Sequence, residues 1–285
     1  LSPIVIVTDS ASDIDQALIT ELGIEIVPLK VSFGAETFLD GITMRSTEFF
    51  ERLRSSDVFP RTSQPSPVEF SQKFQDISDK HGADVCIIAI LLSSQLSGTY
   101  QSAVIGKGML EQELDLTIID SKKGAMFEGL LVVEAAKMAR AGRSKQQILD
   151  EVDRMIGQMQ NFFIIDTLEF LQKGGRIGRA SAFIGSLLNI KPILSLDANG
   201  AVYAFDKVRG NKKAVARMMD ELKSYAADAR VKVAIMHANA LEEAKALKER
   251  VTQEFQVIET YISEIGPVIG AHIGPGGIAC AMVKE

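Results

Sequence analysis

The chain has no tryptophan, two cysteines and three histidines in 285 residues. Cys86 and Cys280 each lie inside an apolar run, which leaves no disulfide framework and fits a reducing compartment. His81, His237 and His272 stand far apart with no thiol or carboxylate at ligand spacing, so no local zinc motif exists. Also missing are the glycine-rich phosphate loops, the G-x-S-x-G nucleophile elbow, H-E-x-x-H and C-x-x-C. Nucleotide-hydrolysing and zinc chemistry therefore have no local signature, although a triad can still assemble from distant segments. No apolar run reaches the ~18 residues of a membrane span. The stretch from Leu1 to Val7 is too short, and too poor in basic residues, to serve as a secretory signal. A formal charge of −6 lacks the basic excess that a nucleic-acid surface needs. The expectation is a soluble cytoplasmic protein with no metal, no cofactor and no nucleic-acid partner. It is not an integral membrane protein, though transient membrane contact stays compatible with the sequence.

What is present is ordinary globular material, 46% hydrophobic and 24% charged, enough to bury a sizeable core without staples. Short β-branched runs alternate with longer helical patterns, the pattern of an α/β protein. In the first half strands are expected at Ile4–Val7, Ile26–Phe33, Val85–Ile90 and Leu116–Ile119. Phe70, Phe74 and Ile77 recur at helical spacing after Ser66, Pro67 and Glu69, an N-cap, a first-turn proline and a capping-box partner. Phe127, Leu130, Leu131 and Met138 mark another helix, and Ser144 with Gln147 opens a third. A break near Gln158 divides the chain into domains at 1–158 and 159–285. The first is expected to be Rossmann-like, a mainly parallel sheet with helices on both faces. The second is expected to be a mixed sheet with helices mainly on one face. Its strands are read at Phe162–Ile165, Pro192–Leu196, Ala201–Phe205, Val231–His237, Val257–Ile262 and Ile278–Val283, with an Asn199-Gly200 hairpin turn supplying positive φ angles.

Three hydroxyl-rich loops follow strands or precede helices: Thr8 to Asp13, Arg61 to Ser66, and Ser93 to Thr99. Ligands of open α/β sheets bind outside the carboxyl ends of the strands, where hydroxyls and free N–H groups suit an anionic head group. The same residues also serve as caps and turn formers. Two basic turns, around Arg176 and Arg209, offer guanidinium groups to a carboxylate or phosphate, and equally suit a solvated surface. After the first comes an apolar stretch, Ala180 to Leu188, read as a helix. His272 sits in a Gly/Pro-dense loop, where function often resides.

Taken in order, these segments resemble the DegV family across nearly the whole chain. The features are Val7-Thr8-Asp9-Ser10, Val27-Pro28-Leu29, Asp40-Gly41, Thr62-Ser63-Gln64-Pro65-Ser66, Ser93-Ser94-Gln95-Leu96-Ser97-Gly98-Thr99-Tyr100, Gly174-Gly175-Arg176-Ile177 and His272-Ile273-Gly274-Pro275-Gly276. The resemblance implies a long-chain fatty acid held between two α/β domains. Its carboxylate would be bound by Thr62 and Ser94, with Ser63, Ser97 and His272 nearby. The acyl chain would enter an apolar tunnel in the second domain, for which Phe183, Ile184, Leu187 and Leu188 are the candidate walls. The resemblance also implies a separate ATP-dependent fatty acid kinase that makes an acyl phosphate for phospholipid synthesis, with Arg176, Arg209 and His272 serving that step. On that reading the chain is a carrier with no catalytic residues of its own. The competing reading is a serine-dependent acyl hydrolase using Ser94 or Thr62 with His272 as base. A binder of phosphorylated small molecules would use the same loops but require a polar cavity.

Overall fold

The computed structural model describes residues 2–185 and 190–285. The first half runs β1 (Ile4–Asp9), α1 (Gln16–Leu22), β2 (Glu25–Val27), β3 (Lys30–Phe33), β4 (Glu36–Leu39), α2 (Ser46–Ser55), β5 (Arg61–Ser63) and α3 (Pro67–His81). It continues through β6 (Cys86–Leu91), α4 (Thr99–Gly108), β7 (Asp115–Asp120), α5 (Met126–Arg140) and α6 (Lys145–Gln158). The second half is β8 (Gln160–Ile164), α7 (Glu169–Lys173), β9 (Ile190–Leu196), β10 (Val202–Arg209), α8 (Asn211–Ala226), β11 (Arg230–His237), α9 (Leu241–Glu254), β12 (Gln256–Glu264), α10 (Pro267–Ile273) and β13 (Ile278–Lys284).

β2, β1, β6 and β7 form a parallel sheet in that order. Its strands are nearly continuous apolar runs because both faces are covered. Val5, Val7, Ile87 and Leu91 pack under Phe70, Phe74 and Ala103 of α3 and α4. Ile6, Ile88 and Ile90 point the other way, towards Leu130 and Leu131 of α5. Both expected capping boxes form, at Ser66/Glu69 and Ser144/Gln147.

The second sheet has the order β10-β9-β8-β13-β11-β12, antiparallel except for the β11–β12 pair. One face carries α8 and α9 through Met218, Leu222, Leu247 and Val251. The opposite face is covered too, by α5 and α6 of the first half, so a single apolar cluster runs from one sheet to the other.

Three local readings need correction. The stretch Ile26–Phe33 is two strands in different sheets, broken at Pro28, which lacks the N–H a central strand needs. β3 instead joins β4 and β5 in a small antiparallel sheet, and neither of those partners is apolar enough to stand out by pattern. The Asp197–Gly200 turn connects β9 to β10 as expected, but only Gly200 has positive φ. The stretch read as an apolar helix is a 3-10 turn over Gly178–Phe183, followed by Gly185 at φ +80°. Leu187 and Leu188 lie outside the described residues.

Candidate functional site

Between the two halves lies an apolar cavity with about 910 Å³ of empty space, its open mouth included. The first half contributes Leu29, Leu92, Leu96 and Phe127, and the second contributes Phe163, Leu196, Met236, Ile265 and Ala279. Among the described residues the polar lining is Thr62, Ser63, Gln64, Ser97, Arg176 and His272.

Each of these is set by its local fold. β5 is three residues long and hydrogen-bonded only on the β3 side, which holds Thr62 and Ser63 at the rim. Ser97 lies in the turn entering α4, its hydroxyl 2.9 Å from that of Thr99. His272 occupies the last turn of α10, a short helix opened by Pro267 at its first position. Its Nε2 lies 2.8 Å from the Thr62 hydroxyl, while Nδ1 is buried without a hydrogen-bond partner among the described residues. Gly174 allows this packing, because a Cβ there would stand 2.2 Å from Nδ1. Burial, assisted by the nearby Arg176 charge, lowers the His272 pKa to about 4. The ring is therefore neutral at pH 7.

Arg176 donates from Nε to the Leu96 carbonyl at 2.8 Å and from Nη1 to the Gly174 carbonyl at 2.9 Å. The first of these ties the second half to the Ser93–Thr99 loop of the first, and the second holds the guanidinium against its own loop. Among the described residues its bonds are to backbone carbonyls and not to a carboxylate, so its positive charge lines the cavity uncompensated. A small set of donors and one cation above an apolar void is an environment for a single anionic head on an apolar body.

The other candidates lie elsewhere. Ser94 is exposed and outside the cavity lining, its hydroxyl donating to Asp120 at 2.5 Å. Its neighbour Ser93 is buried and donates to the Gly200 carbonyl at 2.9 Å, clasping the β9–β10 turn against the first half. Arg209 is exposed at the end of β10, away from the cavity lining. Phe183 and Ile184 border a separate surface depression beside Asp166 and Pro192.

Behind the mouth is a group of buried carboxyls, Asp9 and Asp13 of the first hydroxyl-rich loop together with Asp40 and Glu128. Asp9 accepts from the Leu92 and Ala11 amides at 2.8 and 3.0 Å. Asp13 accepts from the Gly266 amide at 3.0 Å, and Asp40 accepts from the Val268 amide at 3.3 Å and the Ser10 hydroxyl at 2.6 Å. Glu128 accepts from Thr8 at 2.9 Å, and its second oxygen accepts nothing among the described residues. Burial is the main cause that raises all four pKa values, Asp9 to about 7, Asp40 to about 6, and Asp13 and Glu128 well above the usual carboxylate range. Asp13 and Asp40 fix the start of α10, and through it His272, whereas Asp9 and Glu128 hold the end of β1, the loop after it and the end of β6. Among the described residues no three His, Cys, Asp or Glu side chains are arranged to hold a metal ion.

Two α/β halves closing on one apolar cavity with a polar rim define the class of architecture, and comparison with known proteins gives the family. A family model described as "Uncharacterised protein, DegV family" matches residues 3–285. The chain belongs to the DegV family. A DegV domain-containing protein of Caldanaerobacter subterraneus is 37% identical over 276 residues, 96% of each chain. The fold is similar to that of a DegV family protein of Thermus thermophilus whose structure is described as fatty acid binding. That match has a TM-score of 0.92 and 33% identity, and covers 99% of this chain and 100% of the other. DegV of Bacillus subtilis, described as a fatty acid binding protein, matches with a TM-score of 0.90 and 33% identity over 100% of both chains.

Proposed function

We propose that this protein binds one long-chain fatty acid, head at the polar mouth and chain in the cavity between the halves. The uncompensated Arg176 among hydroxyls at the rim of an apolar void carries the reading. The similarity to DegV proteins described as fatty acid binding supports it. Residues 1–158 supply Thr62, Ser63 and Ser97 for the carboxylate, and residues 159–285 supply His272, Arg176 and most of the chain-binding wall. Each buried methylene contributes about 0.8 kcal/mol, so the tail provides most of the affinity and the head is left for recognition.

The mouth suits presentation to a separate ATP-dependent kinase in the cytoplasm. There a carboxylate oxygen would attack the γ-phosphorus of ATP, ADP would leave, and an acyl phosphate for phospholipid synthesis would form. In this scheme Arg176 offsets the charge of the approaching phosphates, and Arg209 meets the partner from the exposed end of β10. Full acyl-phosphate yield from Arg176→Ala and Arg209→Ala in a reconstituted kinase reaction would remove both from the scheme.

The binding reading is tested by denaturing the purified protein, extracting it with organic solvent and identifying the extract by mass spectrometry. Near-stoichiometric fatty acid supports it. An extract without lipid, together with no thermal shift on adding palmitate, overturns it. The Thr62–His272 contact also has the geometry of a nucleophile–base pair, although Nδ1 has no group to orient the ring. Turnover of a long-chain ester that Thr62→Ala abolishes would favour a hydrolase.

A further inference from the structure

The floor of the cavity has a shape that the mouth does not explain. β13 turns Ala279 and Ala281 towards the first half, and Ile278, Cys280 and Met282 towards α8 and α9. Gly277, just before it, also lines the cavity. On either side of Ala279 stand its register partners, Phe163 on β8 and Met236 on β11. Small residues on a central strand, flanked by large ones on its neighbours, make a trough along the strand direction.

The trough has a defined beginning and end. A Cβ on Gly277 would stand 3.4 Å from the Ile273 side chain, so the trough begins beside the His272 turn. Two residues further, or about 6.6 Å, the Phe163–Ala279–Met236 row still lines the cavity. The next row on the same face, Asn161, Ala281 and Ala234, is buried and contributes nothing to the lining. The void stops between these rows.

We infer that the Ala279–Met236 row sets the length of acyl chain the protein accepts, the chain lying along the β13 trough with its terminal methyl against this row. The inference rests on the fatty-acid reading above. Ala279 is the smallest side chain of its row, so enlarging it fills space that the last methylenes occupy. Each methylene denied burial lowers affinity about fourfold. Met236 is unbranched and adaptable, so trimming it to alanine deepens the same end.

The test uses delipidated full-length protein titrated separately with laurate, myristate, palmitate and stearate, with affinity read by calorimetry. Ala279→Leu is expected to weaken stearate relative to laurate by about tenfold or more. Met236→Ala is expected to move the preference towards longer chains. Equal loss for every acid in Ala279→Leu, or an unchanged order of preference in both variants while the wild type binds, overturns the inference and leaves the fatty-acid reading intact. A wild type that binds none of the four acids overturns both. Should Ala279→Leu fail to fold, Ala279→Val and Met236→Ala carry the same comparison.

Discussion

His272 contacts Thr62 through one ring nitrogen and has no partner on the other, so protonating it would bury a charge with no acceptor and with Arg176 nearby. Its folded pKa, about 4 against 6.5, gives the sign of the pH effect. The neutral ring is fully favourable above pH 6.5. As pH falls towards 4 the unfolded chain takes up a proton that the folded chain refuses, and stability is lost by up to about 3 kcal/mol. Urea unfolding of wild type and His272→Gln across that range checks this, since the variant should lack this component. A constant difference between the two proteins would rule the effect out. Arg176 is predicted to act on affinity, with Arg176→Ala weakening palmitate binding by about 1.5–3 kcal/mol, the range of a hydrogen bond to a charged group. Titration of the delipidated variant measures it, and unchanged affinity would show that the carboxylate does not use this guanidinium. Both residues were legible in the sequence because glycines crowd around each, although His272 closes helix α10 and does not lie in the expected loop. Ser94 was not separable from Ser93 by sequence, because two adjacent hydroxyls on a loop give no hint which points inward. In the fold it is Ser93 that is buried.

Helix α10 is only seven residues long, yet it carries Val268, Ile269, His272 and Ile273 into the cavity wall. It is held from outside itself, with Asp13 and Asp40 accepting from the amides of Gly266 and Val268 at its start. Its sequence reads as a Gly/Pro-dense loop around His272, but Pro267 at its first position and Gly274 just past its end bound a helix instead. Its anchors did not show, because Asp13 and Asp40 are indistinguishable from ordinary turn formers until the chain folds. The hydrogen-bond pattern divides the group into charged and neutral members. Asp9 receives two amide N–H groups and, with its pKa raised by burial to about 7, becomes the anion above neutrality, whereas the unaccepting oxygen of Glu128 suits a protonated acid. Glu128→Gln should therefore be tolerated within about 1 kcal/mol near neutral pH. A carboxyl with a raised folded pKa loses its stabilising contribution as pH rises, so this variant should gain on the wild type under alkaline conditions. Asp9→Asn sets an amide N–H against a backbone N–H and should cost about 2–4 kcal/mol. Denaturant midpoints at pH 6 and pH 9 test the pair, and the reverse ranking would mean that the charge resides on Glu128.

Across the whole molecule, alternation of strand and helix made two α/β sheets legible, and the capping boxes marked where α3 and α6 begin. The pairing of the halves was less accessible. Nothing in the periodicity of Phe127 or Leu131 says that α5 serves two sheets at once, and the Ala180–Leu188 stretch resembled a cavity wall more than β13 did. The β13 signal was present all the same, small residues alternating with large ones through Gly277-Ile278-Ala279-Cys280-Ala281-Met282. Because the cluster around α5 and α6 joins both sheets and the cavity opens within it, the halves should unfold together. A ligand buried there then stabilises the entire chain. At a free fatty acid concentration of about a hundred times Kd the gain is about 2.7 kcal/mol, corresponding to a Tm rise of about 5 °C or more for a chain of this size. Delipidated protein melted with and without palmitate, followed by both calorimetry and far-ultraviolet circular dichroism, tests this. One transition by both probes, moving upward with ligand, is expected. Two transitions of which only one responds would mean that the cavity belongs to one half alone, and that the shared cluster does not couple them.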